Sequence, residues 1–354
     1  MKTAKIFSYI FFLIVSITSL RCTKEQIPLI PPENFHSSGY LILNEGLYGQ
    51  NNSSITFYDL ESGNVEQNVY AAMNNGDDLG DTANDFALCC GKVFIVVDKS
   101  KKIEVISIQD FHSEGFIDFT DYGSPREIII PDSTHGYVST LNDLIVEFNP
   151  SSMNITGTVN VGSKPEGLTL NGENLFVANS GFGIGNTVSV IDTSAHAVIS
   201  TISVWQNPNT FLSFGDNVYL VSIGKYDAIG LGAVTKINAQ NLVPTDTILI
   251  AENPGKAVIA ENNLLVVNGS GLLKINLDTF SIDDSLFIKG SNVNPITGVI
   301  YSVSFDKTNK KILLTNPKDF LQNGEVILFD LYGEKLKTIS AGLNPGRIQF
   351  ITKN

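Results

Sequence analysis

The chain closes on LNPGRIQFITKN, Leu343 to Asn354. A terminal segment usually frays, yet this one opens on an Asn-Pro turn. It then runs into Arg347-Ile348-Gln349-Phe350-Ile351, whose apolar alternation predicts a strand. The same phrase recurs upstream. Lys164-Pro165-Glu166-Gly167-Leu168 precedes NLFVANS, Asn207-Pro208-Asn209-Thr210-Phe211 precedes NVYLVS, and Asn253-Pro254-Gly255-Lys256-Ala257 precedes NLLVVN. Thr82-Ala83-Asn84-Asp85-Phe86, Ser124-Pro125-Arg126-Glu127-Ile128 and Asn294-Pro295-Ile296-Thr297-Gly298 hold the same place before KVFIVV, GYVST and KILLTN. With Ala83 and the six prolines as markers, the spacings are 42, 40, 43, 46, 41 and 50 residues.

Each unit repeats one inner order. A Pro-led turn opens strand A (PEGLTL), a polar turn leads to strand B (LFVANS), a variable loop to strand C (TVSVID), and a second turn to strand D (AVISTI). Strand C tends to end in an acid or amide: Asp59, Asn149, Asp192, Asn238, Asn276, Asp330. Four short antiparallel strands in roughly 40 to 45 residues is the period of a propeller blade. No stretch shows a 3.6-residue apolar period, so helices should be nearly absent. Residues 40–70 hold only strands B, C and D, as YLILNEG, SITFYD and NVEQNVY, and the tail supplies the missing strand A. The prediction is an all-β, seven-bladed β-propeller closed by pairing the C-terminal strand with the N-terminal blade. Such closure removes the open edges of a linear array.

Hydrophobic residues make up 43% of the 354, enough for a core, and charged residues only 17%, with a formal net charge of -13. That acidity argues against nucleic acid and against docking on an anionic membrane surface. The N-terminus reads as targeting rather than fold. Lys2 and Lys5 precede an apolar run, Ile6 to Val15, too short to span a bilayer comfortably. Small residues then lead to Leu20-Arg21-Cys22, which resembles the lipobox of bacterial lipoproteins, although Arg21 stands where that motif carries Gly, Ala or Ser. The expected division is a lipoprotein signal peptide over 1–21, a Pro-containing stalk over 22–37 and the propeller over 38–354. Cys22 would be acylated, giving an outer-membrane lipoprotein exposed at the cell surface and held by its lipid alone. Ordinary secretion with cleavage nearby would leave Cys22 incidental. Cys89 and Cys90, adjacent near a turn, are expected as two buried thiols, because a vicinal disulfide needs a strained ring.

The units Thr187-Val188-Ser189-Val190-Ile191-Asp192 and Leu175-Phe176-Val177-Ala178-Asn179-Ser180 resemble the YncE-like propellers with YVTN-type repeats, over about residues 38–354. The opening repeat, Leu43 to Ser54, looks like that of Bacteroidota surface lipoproteins of this kind. Some of those capture corrinoids for a TonB-dependent transporter. The resemblance therefore implies a small polar ligand, a corrinoid among the candidates, and an outer-membrane transporter as partner.

In a propeller the D–A and B–C connections share one face, called here the loop face, and the A–B and C–D turns the other. The B–C loops of blades 1, 4, 5 and 7 are long (NEGLYGQNNSS, NSGFGIGNT, SIGKYDAIGLGA, NPKDFLQNGE), which marks the loop face for binding. Around the mouth stand two sets of residues. The first after each marker is Asn84, Arg126, Glu166, Asn209, Gly255, Ile296 and Gly346; the second is Asp85, Glu127, Gly167, Thr210, Lys256, Thr297 and Arg347. Strand alternation should turn one set into the channel and the other away. The candidate ligand residues are Asp85, Arg126, Glu166, Asn209, Lys256, Thr297 and Arg347, with loop aromatics Tyr48, Phe182 and Tyr226 able to stack on a ring. For any single one, capping a turn or pairing with a neighbouring blade is the plainer role.

An enzyme is not expected. His36, His112, His135 and His196 form no set with a nucleophile on the loop face, and no cofactor is implied. The acidic run Asp77 to Asp85 lacks EF-hand spacing and reads as a solvated loop rather than a metal site. The glycines of Gly181 to Asn186 miss the dinucleotide fingerprint and suit a wide turn. Expected is a monomeric envelope binding protein; the alternatives are a protein- or glycan-interaction platform, and a hydrolase or lyase on the same scaffold.

Overall fold

The computed structural model describes residues 38–225 and 230–352. The predicted signal peptide, the stalk with Cys22, and Tyr226 lie outside the described residues. Seven four-stranded antiparallel sheets follow one another around an axis. In blade 4 the strands are Pro165–Asn171, Asn174–Asn179, Thr187–Asp192 and Ala197–Ser203. Strands B and C are buried almost throughout, whereas strand D alternates on the outer rim. Each strand A is hydrogen-bonded on one side only, and these seven inner edges line an axial channel. The acid or amide ending strand C folds the next turn. Asp192 Oδ1 accepts the Ser194 and Ala195 N–H groups at 2.9 and 3.0 Å, and Asn238 Oδ1 those of Gln240 and Asn241 at 3.2 and 2.8 Å. These are Asx turns, the local chemistry for which Asp and Asn are suited.

Blade 1 is assembled from both ends of the chain. Pro345–Ile351 pairs antiparallel with Gly39–Asn44, in the register Tyr40↔Phe350 and Ile42↔Ile348. The side chains of the seam then divide by strand alternation. Tyr40, Ile42 and Ile348 pack with Leu313 and Val326 of blade 7, while Leu41, Leu43 and Ile351 pack with Phe86 and Ile95 of blade 2. The buried Tyr40 hydroxyl donates to Asp306 Oδ2 at 2.8 Å, adding a polar tie between blades 1 and 7. Elsewhere aromatic pairs bridge neighbouring blades: Phe94 with Phe148, Phe176 with Phe211, Tyr219 with Phe280, at centroid distances of 5.9, 6.2 and 5.8 Å. Each is worth about 1 kcal/mol beyond its burial.

Three expectations are corrected. Strand D of blade 1 is only Val65–Glu66; the chain then turns into a short helix, Val69–Met73, whose Val69 and Tyr70 pack against blades 1 and 2. Strand A of blade 7 is Val303–Asp306 and not the segment after Pro295. There the chain makes a helical turn, Gly290–Val293, and Asn294 Oδ1 then accepts the Ile296 and Thr297 N–H groups, both at 3.1 Å. Cys89 and Cys90 are free, but Cys90 is exposed at the tip of a two-residue turn with φ 58°, and burial and its neighbour push the Cys89 thiol up to about 12. Among the described residues no helix is long and apolar enough to cross a membrane.

Deleting residues 344–354 removes strand A of blade 1 and uncovers Tyr40, Ile42 and Leu43. Thermal melting should fall by roughly 10 °C or more, as the loss of about 5 kcal/mol would give. A truncated chain that melts unchanged would show that the ring does not depend on this seam.

Candidate functional site

Strand A starts from a backbone kink that decides what reaches the channel. The residue before the marker is left-handed in several blades, at Thr82, Lys164, Asn207 and Asn344 (φ 62, 47, 59 and 53°). Asn tolerates that region better than most residues, which explains the Asn-Pro signature. Immediately after it, the pairing of strand A with strand B slips, between Ala83 and Asp85, Pro125 and Ile128, Pro165 and Leu168, and Pro208 and Thr210. This is a β-bulge, in which two residues oppose one and strict alternation fails. Both sets of mouth residues therefore meet the channel, at different depths, instead of one facing in and the other away.

The upper cavity, about 190 Å³, opens on the loop face and is lined by Asn84, Asn209, Gly255 and Gly346 of the first set. Glu45 and Tyr301 complete it, the Tyr301 hydroxyl donating to Glu45 Oε2 at 2.7 Å. Burial pushes the Glu45 carboxyl above the usual carboxylate range, against the opposing effect of that hydrogen bond and of Lys256. Below lies a second chamber of about 510 Å³, whose lining includes Asp85, Glu127, Thr210, Lys256 and Arg347 of the second set and continues down strand A to the A–B turn of blade 7.

Two ion pairs separate these spaces. Lys256 Nζ reaches from blade 6 to Glu127 Oε1 of blade 3 at 2.8 Å, and Arg347 Nε lies 3.2 Å from Asp85 Oδ1. Burial alone would lift Glu127, but the Lys256 charge and its hydrogen bond hold that carboxyl below its ordinary value; Glu127 and Asp85 in turn keep Lys256 protonated. For Asp85 burial wins over Arg347, so its affinity for a proton is raised. Gly167 occupies the same position in blade 4, where a Cβ would stand 2.0 Å from the Asn209 carbonyl oxygen.

The candidates divide accordingly. Asp85, Lys256 and Arg347 come together, and Asn209 lines the upper cavity. Arg126 and Glu166 pair with each other instead: Arg126 Nε lies 3.1 Å from Glu166 Oε2, and Arg126 Nη1 also binds Asp98 Oδ2, tying blades 2, 3 and 4. Burial would lower the Arg126 pKa, but the two carboxylates keep it charged. Thr297 is not in the ring; it is exposed in the capped turn after Asn294, and Tyr301 and Ser302 hold the two mouth positions of blade 7. Tyr48 is exposed beneath Lys99, whose Nζ stands 4.0 Å from the ring centroid. Phe182 is exposed with φ 53°, a left-handed backbone that is a genuine outlier for a bulky residue. The acidic run disperses: Asp81 Oδ1 accepts the Gly49 N–H at 3.0 Å, Asp78 Oδ2 accepts from Asn51 at 2.9 Å, and Asp85 faces the channel.

A further cavity, about 570 Å³, lies on the loop face between blades 4 and 5, lined by Ile184, Asn186, Trp205, Gln206 and Leu231 among others. Consecutive residues of one loop serve both spaces, Ile223 lining the upper channel cavity and Gly224 this one. Trp205 is pinned by its indole N–H, which donates to the Leu231 carbonyl at 2.9 Å, and Gln206 donates to the Gly183 carbonyl at 2.9 Å. Sequence reasoning gave no place to Glu45 or Tyr301. Counting back from KILLTN across the A–B turn, instead of trusting Pro295, would have found Tyr301.

Fold and cavities define a seven-bladed β-propeller whose axial channel is crossed by ion pairs. The chain belongs to the family described as a domain of unknown function, DUF5074, which matches residues 38–342. No functionally curated protein matches it. Among solved structures it is similar to a functionally unknown protein from Desulfotomaculum acetoxidans DSM 771, with TM-score 0.65, 14% identity, 90% of this chain and 100% of that one. A quinonprotein alcohol dehydrogenase-like protein from Bacteroides thetaiotaomicron VPI-5482 gives TM-score 0.64, 17% identity, 91% of this chain and 80% of that one. Hydrazine synthase of Kuenenia stuttgartiensis gives 0.62, 14%, 76% and 95%. At such identities the likeness shows the fold alone.

Two substitutions test the assignments at the mouth. Arg126→Met leaves Asp98 and Glu166 facing each other unpaired and should cost about 3 kcal/mol in denaturant unfolding; a cost near zero would contradict the clamp. Glu45→Gln keeps an acceptor for Tyr301 but removes a carboxylate that burial disfavours. A raised folded pKa makes wild-type stability fall as pH rises through it. The variant should thus melt higher than wild type at neutral pH, and the gap should close as pH drops below the raised value. A constant gap across that range would mean that Glu45 does not titrate as described.

Proposed function

We propose that the protein is an envelope binding protein of the YncE-like kind, tethered through Cys22, whose loop face captures a small polar ligand for an outer-membrane transporter. The observation that carries this reading is the loop-face cavity of about 570 Å³, which combines the Trp205 ring, Ile184 and Leu231 with the amides of Asn186 and Gln206. Apolar walls with a few convergent polar groups are the usual make-up of a small-molecule site. Phe182, exposed two residues before Ile184 and held in a strained conformation, offers a second aromatic face on the same loop. A corrinoid suits such a surface: its macrocycle stacks on the aromatic rings and its amide periphery meets Asn186, Gln206 and Asn209. We propose binding without catalysis. His112, His135 and His196 all stand on A–B or C–D turns, across the molecule from this cavity, and each has a carboxylate partner.

A second reading, a protein- or glycan-interaction platform, draws on the exposed Tyr48, Phe182, Ile184, Ile296 and Leu321, which are spread over the loop connections of blades 1, 4 and 7. One titration separates the two. Trp205 is the single tryptophan in the chain, so its emission reports on the cavity alone. Cobalamin added to the full chain should quench it saturably, and Trp205→Phe with Ile184→Ala should weaken binding measured by calorimetry roughly ten-fold. Unchanged emission with no heat would sink the corrinoid reading and leave the platform.

A further inference from the structure

The chamber on the other side of the ion pairs has its own chemistry, independent of the loop-face reading. Its charged lining residues balance, with Asp85, Glu127 and Asp306 against Lys256, Lys307 and Arg347. They do not face the lumen equally. The Asp85 and Glu127 side chains are 9% and 20% exposed, whereas Arg347 and Lys256 are 50% and 45% exposed, although both stand inside the ring, because the lumen admits water. The carboxylates are recessed and their oxygens engaged from behind: Asp85 Oδ2 accepts the Ile128 N–H at 3.1 Å, and Glu127 accepts from the backbone of Leu168. Asp306 is buried, its oxygens taken by the Tyr40 hydroxyl at 2.8 Å, the Thr308 N–H at 2.9 Å and the Asn309 amide at 2.7 Å.

The cations, by contrast, retain donors. Arg347 contacts Asp85 through Nε, and its two terminal nitrogens make no hydrogen bond among the described residues. Lys256 spends one of its three N–H groups on Glu127. What the two ion pairs leave open is donor capacity on the cation side. Arg presents paired N–H groups in a planar fork that matches a carboxylate bidentately. The lower walls carry the partly buried apolar side chains Ile129, Leu212, Val258, Phe305 and Phe350, with Ser304 and Gln349 among them. Because the lining is already neutral, a monoanion adds one uncompensated charge where a dianion would add two.

We infer that the lower chamber binds a small monocarboxylate with an apolar body, its carboxylate taken by the Arg347 fork and Lys256 and its body lying against Phe305, Phe350 and Leu212. Access is from the A–B turns, where Lys307 and Thr308 border the chamber.

The test uses the full chain and benzoate, followed by calorimetry, with benzamide as the neutral isostere and inorganic phosphate as the anion without an apolar body. Benzoate should bind saturably and roughly ten-fold or more tighter than benzamide. Arg347→Gln and Lys256→Met should each weaken it by a similar factor, and Arg347→Lys, which keeps the charge without the fork, should fall between. Equal affinity for benzamide, tighter binding of phosphate, or no benzoate binding would each overturn the inference. Unchanged benzoate affinity in folded Arg347→Gln would do the same. The comparison of benzoate with benzamide on wild type decides the matter should a variant fail to fold.

Discussion

Everything in this molecule depends on the hydrogen bonding of Pro345–Ile351 to Gly39–Asn44. Six blades, each complete in sequence, would form an open arc with an unpaired strand at one end and a three-stranded blade at the other. Pairing the two ends converts the arc to a ring, and only a ring has an axial channel. The seam also fixes a neighbour for each adjoining blade, since its alternating side chains supply apolar surface to blade 7 on one face and to blade 2 on the other. The same strand carries Arg347 into the lumen, so closure and channel chemistry rest on one segment.

Within the ring, charge is used in two ways. Arg126, Asp98 and Glu166 are consumed in holding blades 2 to 4 together, and such a clamp is costly to break because each removal strands a partner. Lys256 and Arg347 are held by single contacts and stay reachable from the lumen. The β-bulge produces this division. It sets two adjacent residues at different depths, so Arg126 at the first reaches sideways to the next blade while Lys256 at the second crosses the channel.

The architecture is legible because the repeats share their punctuation: in most of them a left-handed residue before the marker or an Asx turn after strand C, and in all an apolar strand B. Those are local, chain-bound requirements and leave a trace along the sequence. Pro295 was misleading for the same reason. Asn294-Pro295 carries the punctuation, but Asn294 uses it to cap a turn inside an insertion, and strand A starts later at Val303. The short helix Val69–Met73 escaped because its few apolar residues fit a strand as well as a helical turn; packing against Phe86 and Phe111 decides between them. The site was less legible than the fold. The alternation rule separates residues that the bulge reunites, and Glu45 enters the mouth from a B–C loop that no repeat pattern governs. Trp205 and Leu231 line one cavity because two loops from adjacent blades fold toward each other, a distance in space that the spacing in sequence does not encode.

The pairing of Gly39 with Ile351 has a further consequence. Both ends of the ring stand where blade 1 would otherwise have its A–B turn, on the side away from the long loops. Anything joined to residue 38 therefore grips the propeller from beneath. A tether there would leave the tryptophan cavity on the far face, and the chamber under Lys256 and Arg347 on the near one.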